Sequence, residues 1–280
     1  MREHIIETLR LAWSGRRSVA MAMQLMVLLI IPQWLMMNYI EFGEDSYWVF
    51  LYVLIIPAIL LSYLYAPFVL FHALGQRAVG KRAPFLHSCK AVLLRLPALV
   101  VVPALASGFY FGVTNGIIET IPPEYLSVTR LFTGEFGQPV DITLNRVDHF
   151  FIYLVFFYYA CAMFLLLLPA FILLSGDGLR AAYRRHRDGT DIITDRYVFI
   201  VAPFAAVALA LFHADFAGLF EWFAGSELPG TLRFAVQSAK IQLAASIVLV
   251  ATIPLWKKEE ERAEAQQPQA ELEQGAASPV

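Results

Sequence analysis

The chain has 280 residues, of which 59% are hydrophobic and only 16% charged, and its net charge is −2. Soluble domains run at about 45–50% apolar and about 25% charged, so this composition excludes an ordinary soluble globular fold. The mean hydropathy of +0.61 comes from long uncharged runs, which makes the class all-α, a polytopic membrane helical bundle.

In chain order, Arg2, Arg10, Arg16 and Arg17 precede the first apolar run, Ser18–Met37. That run is longer than the core of a cleaved signal and lacks a small-residue cleavage site after it, so it is expected to remain as a first span. Five more runs have spanning length or nearly so: Tyr47–Leu74, Leu96–Ile118, Phe150–Leu174, Tyr197–Leu219 and Phe234–Trp256. About 20 apolar residues cross a bilayer, which predicts six transmembrane helices in one membrane domain, 1–256. Prolines such as Pro32, Pro67, Pro103, Pro169 and Pro203 fall inside or at the ends of these runs. Membrane helices tolerate them because neighbours satisfy the freed carbonyl. Residues 257–280 are charged, then rich in Gln, Ala and Glu, and are expected to form a disordered tail after a short helical extension.

Charge alternates from one connection to the next. The N-terminal segment, the connections Gly75–Arg95 and Gly176–Arg196, and the tail together hold seventeen of the 21 Lys and Arg. The intervening loops carry Glu41, Glu44, Asp45, Glu119, Glu124, Glu135, Asp141 and Asp148. The positive-inside rule then puts both termini in the cytoplasm, with six spans; the expected location is the cell inner (cytoplasmic) membrane of a bacterium. Of the outer loops only Glu119–His149 is sizeable, and its pattern leaves a lid, an interfacial helix or a plain surface loop open.

In the third run Ala104, Gly108, Gly112 and Gly116 recur at every fourth position. Each helical glycine costs roughly 1 kcal/mol relative to alanine, and in a membrane the usual return is close approach of another helix, a glycine zipper. The fifth run repeats the pattern with Ala202, Ala206, Ala210, Ala214 and Gly218. The two stripes are expected to pack against each other. They also suggest an internal repeat, spans two and three over spans four and five. Pro67 and Pro103 stand 36 residues apart, Pro169 and Pro203 stand 34 apart, and a basic connection begins at Gly75 and at Gly176.

The two connections have a basic amphipathic pattern. Arg77, Lys81, Arg82, Lys90 and Arg95 lie in the first, with Phe85, Cys89, Val92 and Leu96 at helical spacing. Arg180, Arg184, Arg185 and Arg187 lie in the second, among Leu179, Ala182 and Tyr183. Such helices lie in the inner headgroup layer and attract anionic lipid. The same charges would also serve simply to set topology, and the pattern leaves both readings open.

The stretches HALGQRAVGKRAPFLHSCKAVLLRLPALV and LSGDGLRAAYRRHRDGTDIITDRYVFIVAP resemble the cytoplasmic connections of bacterial six-span proteins related to the membrane domain of glycerophosphodiester phosphodiesterases. The resemblance implies a glycine, a basic helix and a return span used twice, over about Phe68–Pro203. The soluble phosphodiesterase domain of some relatives is absent from this sequence, so the resemblance implies no catalytic residue.

Chemistry is sparse. No zinc-protease, nucleophile-elbow, phosphate-loop or Cys-x-x-Cys motif occurs, so no catalytic residue, metal or cofactor is expected. His186-Arg187-Asp188 spells part of a kinase loop, but Ile193 stands where that loop needs asparagine. Cys89 and Cys161 read as small apolar fillers, and the aromatic residues from Phe150 to Tyr159 as a lipid-facing surface. Inside the spans Asp215 and Lys240 are the notable ions. They lie about 27 Å and about 24 Å from the inner ends of adjacent helices at 1.5 Å per residue, so an intramembrane ion pair near the outer boundary is expected. The expected role is non-enzymatic: a scaffold, assembly factor or lipid-organising protein. A transporter or flippase for a lipid-like or amphipathic substrate is the alternative. The expected partners are membrane lipids, anionic ones among them, and another membrane protein, with no nucleic acid.

Overall fold

The computed structural model describes residues 1–39, 46–81, 83–101, 167–192, 198–213 and 216–276, and every regular element among them is helical. The first stripe, Ala104, Gly108, Gly112 and Gly116, lies outside the described residues. So do Arg82, Ala214, Asp215 and the outer loop 119–149.

Helix α1 (Arg2–Ser14) forms because His4, Thr8 and Leu11 recur on one face, and that face is the one packed inward. It ends at Gly15, whose amide donates to the Leu11 carbonyl at 2.9 Å. A Cβ at Gly15 would overlap the Leu74 side chain, so only glycine lets this junction sit on the next helix pair. Helix α2 (Arg16–Tyr39) follows at once, with Pro32 inside it, and α3 spans Ser46–Ala78. Helix α4 (Phe85–Leu99) starts after Pro84, where the fixed proline backbone favours a helix start, and buries Ser88, Val92 and Leu99.

The short α5 (Leu168–Ala170) runs into a π-helical turn, Phe171–Ser175. Gly176 stops it in the left-handed conformation at φ 82°, which costs glycine nothing. Helix α6 covers Leu179–Ile192, α7 Val198–His213 and α8 Phe216–Ala224. The apolar run Tyr197–Leu219 is thus described as two helices on either side of residues 214 and 215. Helix α9 spans Gly230–Ala276, continuing past the expected boundary at Trp256 through the charged tail. Short-range ion pairs such as Arg262–Glu259 at 2.9 Å and Lys257–Glu261 at 3.8 Å support that extension.

Among the described residues, the stretches Arg16–Leu35 within α2 and Gly230–Arg262 within α9 are long and apolar enough to cross a membrane. Helix α9 is the central one: it packs on α3, α7, α2 and α1. The tightest core is at one end of the described structure, where Phe68–Leu74 of α3, Leu167–Leu173 and Val250–Trp256 of α9 meet.

Candidate functional site

That densely packed end is also where the basic segments converge. Gly75, which opens the first connection, packs so closely on Leu174 that a Cβ there would overlap both Leu174 methyls. Arg95, near the end of α4, donates through Nη1 to the carbonyls of Ile172 and Leu173 at 2.7 and 2.8 Å. A helix end leaves its last carbonyls without intrahelical donors, and the guanidinium supplies them. Tyr65 and His72, seven residues apart on α3, tie α4 from the other side: the Tyr65 hydroxyl donates to the Cys89 carbonyl at 3.1 Å, and His72 Nδ1 lies 3.0 Å from Ser88 Oγ.

The second connection is clasped to the last helix. Trp256 Nε1 donates to Ser175 Oγ at 2.7 Å, and Arg185 donates to Asp177 at 3.0 Å and Glu260 at 2.8 Å. The Arg185 guanidinium also lies over the Phe171 ring, 4.5 Å from its centroid. The N-terminal helix closes the group. His4 Nε2 is 2.8 Å from the Ala251 carbonyl, and its ring meets Phe204 of α7 edge-on at 6.0 Å. Between α1, α3 and α9 lies an open cleft of about 240 Å3, with Leu11, Ile253 and Pro254 as its apolar floor and Glu7, Arg10 and Lys257 at its rim.

The basic residues singled out in the sequence therefore divide. Arg95 and Arg185 are spent on internal hydrogen bonds. Arg77, Lys81, Lys90, Arg180 and Arg184 are exposed, on connections whose ends are held together. Arg187 falls on α6. Nothing in the residue pattern separates the two groups, because the carbonyls that capture Arg95 belong to a turn almost eighty residues away in the chain.

Within the apolar part of the bundle, the structure brings forward polar residues that the sequence reading passed over. Gln33 donates to the Ser62 carbonyl at 3.0 Å and Gln242 to the Met26 carbonyl at 3.4 Å. The Tyr63 hydroxyl is 3.5 Å from Ser238 Oγ. These bonds link α2, α3 and α9, a use of polar side chains expected between membrane helices. Lys240 is buried on α9, with 7% of its surface exposed, between Ser238 and Gln242 on the same stretch. Of the second small stripe, Ala202 and Gly218 are half-buried and Ala206 and Ala210 exposed. Among the described side chains of α7, Val201 and Ala208 are buried, and the helix packs on α9. Glu221 accepts from Arg233 at 2.6 Å and from the Leu228 amide at 3.0 Å, closing the turn between α8 and α9.

No family model, no curated protein and no solved structure matches the chain. The reading of its function rests on its own residues.

Proposed function

We propose that the chain is a non-enzymatic, six-span protein of a bacterial inner membrane, with both termini cytoplasmic and a scaffolding, assembly or lipid-organising role. The observation that carries this reading is the division of the basic residues. Five exposed cations, Arg77, Lys81, Lys90, Arg180 and Arg184, stand on two connections joined at one tightly packed end. Anionic headgroups contribute on the order of 1 kcal/mol per basic residue near the surface, so five together make a lipid-gathering platform. The 33-residue α3 adds a third helix of spanning length, uncharged before Arg77. The resemblance to the membrane domain of glycerophosphodiester phosphodiesterases belongs to the same reading, as do the internal repeat and the seam between the small stripes.

The test is lipid and partner capture by the full chain. Purified in mild detergent, the protein should retain phosphatidylglycerol over phosphatidylcholine, and replacing the five exposed cations with glutamine should remove that preference several-fold. Equal retention by the variant overturns the lipid-organising role. Recovery of a stable membrane-protein partner supports the scaffold; substrate-dependent flux across vesicles without any partner overturns it.

One observation favours a second reading, the transporter or flippase: a polar row of buried Gln33, Ser238, Lys240 and Gln242 with half-buried Tyr63 lies among three helices. Flux of a lipid-like substrate that is lost in Gln242→Leu, with the fold retained, would establish it.

A further inference from the structure

We propose that α1 is an interfacial anchor: a helix lying in the inner headgroup layer, with a lipid-facing stripe of Ile6, Leu9 and Trp13 that docks on an anionic bilayer surface. This deepens the membrane reading above and rests on it.

The proposal begins from the three arcs of α1. At 100° per residue, His4, Thr8, Leu11 and Gly15 form one arc, and all four are buried or half-buried against the bundle. Glu3, Glu7, Arg10 and Ser14 form a polar arc. Ile6, Leu9 and Trp13 form a third, which Arg2 enters at the first turn, and it is continuous with the inward arc through half-buried Ile5 and Ala12. The apolar surface of this helix is therefore about twice as wide as the bundle covers. The uncovered part exposes 44% of Ile6, 61% of Leu9 and 74% of Trp13.

The placement of α1 says what covers that part. Its junction at Gly15 meets Leu74 of α3, His4 meets Ala251 of α9, and the same ring meets Phe204 of α7. These contacts seat α1 at the end of the bundle where the basic connections lie. Leu74 stands three residues before Arg77 and Ala251 six before Lys257, or about 4–9 Å at 1.5 Å per residue. Interfacial helices bury their apolar face about 5–10 Å into the headgroup and acyl boundary.

Two further features agree. Gly15 is followed directly by α2, which itself exposes Val27, Leu28 and Ile31 at 62%, 63% and 62%, so the chain leads from the stripe of α1 into an exposed apolar helix. The flanking charges, exposed Arg2, Arg10, Arg16 and Arg17 against Glu3 and Glu7, leave the segment cationic and complementary to anionic headgroups. Trp13, amphipathic and next to that cluster, has the chemistry of an interfacial belt residue.

The test places nitroxide labels on the full chain in bilayers of phosphatidylcholine with and without phosphatidylglycerol. Cys89→Ala and Cys161→Ala remove the native thiols, and single cysteines are introduced as Ile6→Cys, Leu9→Cys, Trp13→Cys, Glu3→Cys, Glu7→Cys, Ser14→Cys and, in α2, Val27→Cys. Labels at 6, 9, 13 and 27 should be relaxed more by oxygen than by a water-soluble nickel complex, and labels at 3, 7 and 14 the reverse. The oxygen preference at 9 should grow when phosphatidylglycerol is present. Equal access of nickel to 6, 9 and 13, with 27 still in lipid, overturns the anchor while the membrane reading stands. Nickel access at 27 as well overturns both, and no response to phosphatidylglycerol overturns the anionic preference. Quenching of tryptophan emission by brominated lipid, lower in Trp13→Phe than in the native chain, is the expected result without labels; equal quenching in the two overturns the anchor.

Discussion

Arg185 holds Glu260 at 2.8 Å across the join between the second connection and the last helix, while its other terminal nitrogen holds Asp177 at 3.0 Å. Burial opposes the cation, but its hydrogen bonds to the two carboxylates, and their charge, outweigh it and raise its pKa above the ordinary arginine value. All three side chains keep a quarter to a third of their surface in solvent, so each pair is worth only about 0.2–1 kcal/mol. The contact over Phe171 adds about 0.5–1 kcal/mol. Arg185→Ala should then cost about 1–2 kcal/mol. Arg185→Lys should cost nearly as much, since a single ammonium cannot fork between both carboxylates. Chemical unfolding in detergent micelles measures both.

Removing Arg95 should have a different signature. Its hydrogen bonds to the Ile172 and Leu173 carbonyls are charge-assisted, a class worth about 1.5–3 kcal/mol where the acceptor would otherwise be left without a donor. Arg95→Ala is expected to destabilise by about 2 kcal/mol and to leave phosphatidylglycerol retention per folded molecule unchanged. The exposed cations should do the opposite, with retention lost and stability kept. The same purified samples yield both numbers.

Gly75 allows a prediction with its own rescue. Adding a Cβ there overlaps Leu174, and overpacking of this kind costs about 1–3 kcal/mol. Against it stands a helix-propensity gain of up to about 1 kcal/mol for Gly→Ala. Gly75→Ala should therefore destabilise the native chain. In a Leu174→Ala background the overlap is gone, and the same change should become neutral or stabilising. A thermal-shift cycle over the four chains reads the reversal.

His4 makes stability depend on pH. The Ala251 carbonyl can only accept, so Nε2 carries the proton and Nδ1 is left as a bare, buried acceptor without a partner among the described residues. Burial lowers the His4 pKa from 6.5; the Ala251 hydrogen bond and Glu7 resist this, and Lys258 and the terminal amine reinforce it. A lowered histidine pKa means that the unfolded chain binds more protons, so stability is full above about pH 6.5 and falls as the pH drops below it. His4→Gln should flatten the thermal midpoint between pH 7 and pH 5 (~7 to ~5) while keeping a donor for Ala251.

The helical class and the basic connections were legible because hydropathy and charge are local properties. What was not legible depends on pairs distant in the chain. Arg95 and Arg77 look alike in any helical wheel, yet one caps a π-helical turn and the other faces solvent. Gln33 and Gln242 read as isolated blemishes in apolar runs until their carbonyl partners on neighbouring helices are seen. The N-terminal helix did carry a local signal, the inward spacing of His4, Thr8 and Leu11 ended by Gly15.

The hydrogen bond between His4 and Ala251 spans 247 residues of chain, which imposes an order on biosynthesis. At about 5–20 residues per second, α1 leaves the ribosome tens of seconds before the carbonyl that seats it exists. During that interval α1 lacks its seat on α9, and the membrane surface is the available shelter for its apolar side. The bond then closes only when the last helix is in place, so it serves as a latch on a finished assembly.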